Sequence, residues 1–172
     1  DLAFSQNDIN FNRDIYIAPA TGDEPPVNIS RHPDNDRSPR FSGDGRILSF
    51  TSERRDDDYD VYLVMLDRDL EKLGPRELDD YFERRRDAAK KRKPLEGDRD
   101  PSSSDEPGDD SSVGDVDAAP FDRDDLESAY LRLRTVTRLP GDVRGIELLP
   151  AGDAVVFEYA TDAPDAEGLY RV

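Results

Sequence analysis

The chain has 172 residues, of which 34% are hydrophobic and 38% charged, with a formal net charge of -17 and a pI near 4.4. An acidic surface of this kind repels a nucleic-acid backbone and an anionic membrane, while basic peptides or proteins remain compatible partners. Cysteine is absent, which removes disulfides, thiolate nucleophiles and cysteine metal sites, and no apolar run approaches the roughly 20 residues of a spanning helix.

The N-terminal Asp1-Leu2-Ala3-Phe4 has no signal-peptide character. Leu2-Ala3-Phe4-Ser5, followed by Asp14-Ile15-Tyr16-Ile17, recurs 46 positions later as Leu48-Ser49-Phe50-Thr51 followed by Asp60-Val61-Tyr62-Leu63. A second match needs no gap: residues 27–50 align with 134–157, placing Arg31 on Arg138, Pro33 on Pro140, Arg37 on Arg144, Gly45 on Gly152 and Phe50 on Phe157. A period of 46 lies within the roughly 40 to 50 residues of a four-stranded repeat unit.

Each unit reads as a succession of short strands. The first spans about 39–42, and Gly43-Asp44-Gly45 turns the chain, glycine supplying the positive φ of a tight hairpin. The second, 46–52, places Ile47 and Ser49 on one face and Leu48 and Phe50 on the other, as in a strand covered on both sides. A charged turn over 53–58 leads to a third strand, 59–66. The fourth should follow at once, as 27–30 follows 15–18, but here it is delayed until about 129–137.

The delay is an insertion over 67–128. Its first part, 70–93 with the regular helix from about 75 to 93, has Pro75 at a first-turn position, acids Glu77, Asp79 and Asp80 near the start, and bases from Arg84 to Lys93 near the end, as a helix dipole favours. Leu78, Tyr81 and Phe82 form a narrow apolar stripe that predicts one docked turn and an exposed remainder. Its second part, 94–120, holds nine acids, one base (Arg99) and no aromatic, the composition of an acidic, flexible or disordered loop. The chain therefore divides into strand units over 1–66, the insertion, and 129–172.

Residues 28–66 resemble the repeats of the Tol-associated periplasmic propeller protein and of tricorn-like serine peptidases, the PD40 or WD40-like group. The shared pattern reads here as Asn28-Ile29-Ser30, Pro39, Phe41-Ser42-Gly43-Asp44-Gly45, residues 47–54, and Val61-Tyr62. The usual tryptophan is Phe41, the usual hairpin proline is Gly43, and the later copy replaces the hairpin by Leu149-Pro150-Ala151-Gly152. The helix after the third strand, and 130–141 beyond it, look like the large bacterial tricorn-like peptidases.

The resemblance implies an all-β fold, a partial β-propeller of four-stranded antiparallel blades: one complete but interrupted blade and parts of two more. It implies a non-catalytic segment of a tricorn-like serine peptidase (the S41 peptidase class of hydrolases) that contributes to peptide access or docking. The remaining blades and a peptidase core would be its partners, and a periplasmic or secreted home is implied by resemblance alone. The alternative is a Tol-like module for protein–protein interaction without activity. A prolyl oligopeptidase type of propeller enzyme is a third reading, which a downstream nucleophile elbow would reveal.

No catalytic, cofactor or metal residue is assigned within the chain. His32 is the only histidine and no Gly-x-Ser-x-Gly elbow occurs, so the histidine reads as structural. Asp56-Asp57-Asp58 lacks the alternating ligand spacing of a calcium loop and reads as a solvated turn. The bases from Arg84 to Lys93 face an acidic neighbour that can neutralise them. The positions singled out are structural repeat positions: Phe41, Gly45, Phe50, Asp60, Tyr62, Gly152, Phe157 and Tyr170, with Asp14 and Asp60 capping the turn before the third strand.

Overall fold

The computed structural model describes residues 1–55, 57–91, 122–160 and 168–172. They form three antiparallel sheets with a few helices, an all-β arrangement. The first sheet is β1 (Leu2–Asn7), β2 (Arg13–Ala18) and β3 (Val27–Asn28). The second is β4 (Asp36–Phe41), β5 (Ile47–Arg55), β6 (Asp58–Met65) and β7 (Arg134–Thr135), and the third is β8 (Asp142–Leu148), β9 (Val155–Ala160) and β10 (Gly168–Arg171).

The second sheet lies between the other two, and strand parity explains how. Successive side chains on a strand point to opposite faces. Leu48 and Phe50 of β5, with Tyr62 and Val64 of β6, pack against Ile15, Ile17, Val27 and Ile29 of the first sheet. Ile47, Val61 and Met65 point the other way and pack against Val143, Ile146, Val155 and Phe157 of the third. Burial of every residue from Ile47 to Ser52 follows from this double coverage.

The backbone repeats in detail. The β4–β5 register shifts between Arg37 and Arg40, and the β8–β9 register shifts between Arg144 and Glu147, each partner 107 positions on. Within these bulges Ser38 and Gly145 both turn left-handed, at φ +56° and +54°. The hairpins that follow close identically: Gly45 N–H donates to the Ser42 carbonyl at 2.9 Å, and Gly152 N–H to the Leu149 carbonyl at 2.8 Å. Gly45 and Gly152 adopt φ +78° and +80°, so the altered sequence of the later hairpin retains the same turn.

Several elements depart from expectation. The first strand starts at Asp36, not near Pro39, because the bulge lets β4 pair on both sides of it. The helix expected over 70–93 is two: α1 (Arg68–Lys72), capped by the Asp67 carboxylate, and α2 (Pro75–Lys90), where Gly74 N–H donates to Glu77 at 2.9 Å and Pro75 occupies the first turn. Leu73 and Gly74 are both extended, at φ -64° and ψ 137° and at φ -66° and ψ 161°, Gly74 as the residue directly before a proline prefers, and this divides them. The strand expected over about 129–137 is shorter. A third helix, α3 (Arg123–Glu127), and a 3-10 turn over Ala129–Leu131 take up its start, with Ala129 and Leu126 in the core. The expected acidic loop over 94–120 lies outside the described residues.

Candidate functional site

The repeat positions form a set of identical joints. Phe50 faces Tyr62 across the strand pair with ring centroids 6.1 Å apart and planes at 20°. Phe157 faces Tyr170 at 5.9 Å and 20°, and Phe4 faces Tyr16 at 5.9 Å and 18°. Phe50 and Phe157 are buried, whereas Tyr170 is exposed. Phe41 is half-buried against the first core. These rings are cross-strand packing pairs, each covering apolar area for its sheet.

Asp60 does more than cap a turn. Its Oδ1 accepts from the Thr137 hydroxyl at 2.9 Å and from the Leu139 N–H at 3.2 Å, while the Thr137 hydroxyl oxygen accepts the Val61 N–H at 2.8 Å. Asp14 repeats the pattern in the first sheet: its Oδ1 accepts from the Ser30 hydroxyl and the His32 N–H, both at 3.1 Å, and Ser30 accepts the Ile15 N–H at 2.9 Å. Each buried aspartate thus locks its strand, β2 or β6, to the segment after the next strand of the sheet, β3 or β7, across the core edge, where an unpaired polar group would be costly. His32 contributes its backbone to this lock, and its Nδ1 accepts from the Asp34 N–H at 3.3 Å.

The hairpins join neighbouring sheets. Gly43 N–H donates to the Pro150 carbonyl at 2.8 Å, and a Cβ on Gly43 would lie 2.8 Å from that oxygen. A proline at 43, such as the later copy has at Pro150, would lose this donor and collide. Gly152 packs as closely, since a Cβ there would lie 2.8 Å from Ile47 Cδ1. Arg40 pairs with its own repeat mate, Glu147, at 3.2 Å.

Helix α2 lies across both hairpins. The buried Tyr81 donates its hydroxyl to Asp44 Oδ2 at 2.6 Å, Arg85 approaches the same oxygen at 3.2 Å, and Arg86 reaches Asp153 of the later hairpin at 2.8 Å. Burial raises the Asp44 pKa, but the Tyr81 and Ser42 hydroxyls, the Arg46 amide and the Arg85 charge outweigh it and hold the carboxyl below its ordinary range. Burial and the Asp44 charge push the Tyr81 hydroxyl up.

Beside this clamp is a cleft of about 710 Å³, lined among others by Ser42, Asp44, Arg46, Asp67, Arg68 and Asp125. Its cations already have carboxylate partners, Arg46 with Asp67 at 3.4 Å and Arg68 with Asp125 at 3.2 Å. Arg132 ties the base of the insertion together, donating to the Met65 carbonyl at 2.5 Å and the Asp125 carbonyl at 2.8 Å and pairing with Glu71 at 3.1 Å. Among the described residues, no three side chains of metal-binding type gather.

Sequence reasoning did not find the Tyr81 clamp, the Gly43–Pro150 bond or the Arg132 tie. Tyr81, between Asp80 and Phe82, was visible only as part of a stripe. The aspartate locks had a signal: Asp14 and Asp60 recur 46 positions apart, and Ser30 and Thr137 are both hydroxyl residues at matched places.

No family model and no curated protein matches the sequence. The structure is similar to the crystal structure of the tricorn protease, with a TM-score of 0.51 at 14% sequence identity, over 95% of this chain. The chain spans 14% of the length of that protein, and a likeness at this identity is one of fold.

Proposed function

We propose that the three sheets are consecutive blades of a β-propeller and that the chain is a non-catalytic segment of a tricorn-like serine peptidase, helping to admit or dock peptides. The observation that carries the reading is the repeated joint: the same aspartate–hydroxyl lock, aromatic pair, bulge and hairpin recur in successive sheets of a fold similar to part of the tricorn protease. Recurrent joints between neighbours are what a repeat architecture needs, since each unit buries its apolar face only against the next.

On this reading the partners are the remaining blades, a peptidase core supplying nucleophile, base and oxyanion hole, and basic peptides or proteins drawn by the acidic surface. Helix α2 and the cleft beside it lie where the hairpins of two blades meet, a place suited to restricting what passes.

The test uses the complete polypeptide encoded by the gene. It should hydrolyse unstructured peptides, and Tyr81→Phe should change KM for long peptides while leaving turnover of a short chromogenic peptide unaltered. A complete polypeptide that binds proteins and cleaves no peptide would favour a Tol-like interaction module.

A further inference from the structure

The tip of the β1–β2 hairpin carries Ile9 and Phe11, which are 93% and 81% exposed. The tip is well ordered by its own hydrogen bonds. The Asp8 carboxylate accepts the Asn10 N–H at 2.7 Å and the Asn12 N–H at 3.0 Å, Asp8 N–H donates to the Asn12 carbonyl at 2.7 Å, and Arg13 N–H donates to Asn35 Oδ1 at 3.3 Å. Phe11 adopts φ +67°, a conformation that a bulky side chain rarely takes and that glycine, asparagine or aspartate tolerates.

The repeat provides an internal control. Phe11 corresponds to Asp57, 46 positions on, which adopts φ +61° in the β5–β6 hairpin. Both hairpins thus place a left-handed residue at this position, although the tips differ in length: Asn7 pairs with Arg13 in the first, whereas the second ladder continues to Arg55 and Asp58. In the second sheet that residue is one that accepts the conformation, and the tip from Glu53 to Asp58 contains no apolar side chain. A hairpin at this place in a sheet therefore closes without an apolar side chain at its tip. A strained residue presenting an apolar side chain to solvent on a braced loop is a site where function outweighs local preference, and aromatic anchors held rigid lose little entropy on binding.

We infer that the Ile9–Phe11 tip is a docking knob for a protein partner that offers an apolar pocket rimmed by basic side chains. Charge selects this occupant. The chain carries -17 and the tip itself holds Asp8, with Arg13 at its base, so a basic rim is drawn to it whereas an anionic lipid surface is repelled. The inference rests on comparison of two sheets and holds whether or not the protein is a peptidase.

The test places the photo-crosslinking residue p-benzoylphenylalanine at position 11, and at position 57 as control, in the complete protein within its own cells. A discrete protein adduct is expected at position 11 alone. The captured protein, produced separately, should bind the wild-type protein about tenfold or more tightly than it binds Phe11→Asp, and raising salt to about 0.5 M should weaken that binding. Adducts at neither position or at both alike, attachment to lipid, or an affinity that Phe11→Asp leaves unchanged would each overturn the proposal. A further measurement separates a folding role: Phe11→Asn should melt no lower than wild type, and a clearly lower melting temperature would assign Phe11 to the fold instead.

Discussion

Asp60 and Thr137 are 77 positions apart in the chain and 2.9 Å apart in space, joined by a buried hydrogen bond that closes the second sheet across the whole insertion. Asp14 and Ser30 make the same bond over 16 positions in the first sheet, with no insertion between them. The joint is thus independent of what the chain does in between, and the long excursion leaves the sheet's closure unchanged.

Replacing Thr137 by Val should leave the Val61 N–H and one hydrogen bond of Asp60 unanswered in a buried place. The expected loss is about 1–3 kcal/mol, read from urea unfolding. Ser30→Ala should behave alike at the equivalent joint, and a loss at one position only would break the equivalence of the two sheets.

Gly43→Pro installs the residue that the later hairpin has at Pro150, yet it should destabilise the chain. It removes the donor to Pro150 and places ring atoms where only 2.8 Å is free. A loss of at least about 1–3 kcal/mol is expected, measured by the same unfolding experiment. A neutral result would mean that the two hairpins are not in contact in solution.

How much of this was legible in the sequence follows from the kind of contact. Strand parity exposed the two-faced burial of β5, because Ile47 and Leu48 alternate within one short apolar run. The hairpin glycines were legible because only a left-handed residue closes that turn. The short β7 was not, since it depends on tertiary partners: Arg132 reaches Met65, 67 positions away, and draws the chain out of the strand path. The Tyr81 clamp was hidden for the same reason, its acceptor Asp44 lying 37 positions back in what reads as a plain turn residue.

The Tyr81–Asp44 clamp sets a pH window. Asp44 has a lowered pKa, so its contribution is present above the ordinary carboxylate range and is lost as pH falls through its folded value. Tyr81 has a raised pKa, so its contribution is present below about pH 10, the ordinary tyrosine value, and is lost as pH rises through its folded value. Buried Asp36, raised chiefly by burial with Arg54 opposing, acts in the contrary sense to Asp44, so the comparison must be with wild type. Asp44→Asn should flatten part of the acid limb of a melting curve against pH, and Tyr81→Phe part of the alkaline limb. Unchanged limbs would remove the clamp from the stability of the fold.

Phe50→Ala should cost about 3–5 kcal/mol, because the ring is fully buried between two sheets and stacked on Tyr62. Phe157→Ala, at the equivalent place in the third sheet, should fall in the same range. Thermal unfolding monitored by circular dichroism checks both.

An experimental structure of the complete polypeptide bears most directly on the propeller assignment. The account predicts a closed ring in which β4 and β8 occupy equivalent innermost places about one axis and the aspartate lock recurs in further sheets. A two-layered or open stack, with β4 and β8 in unlike positions, would contradict it.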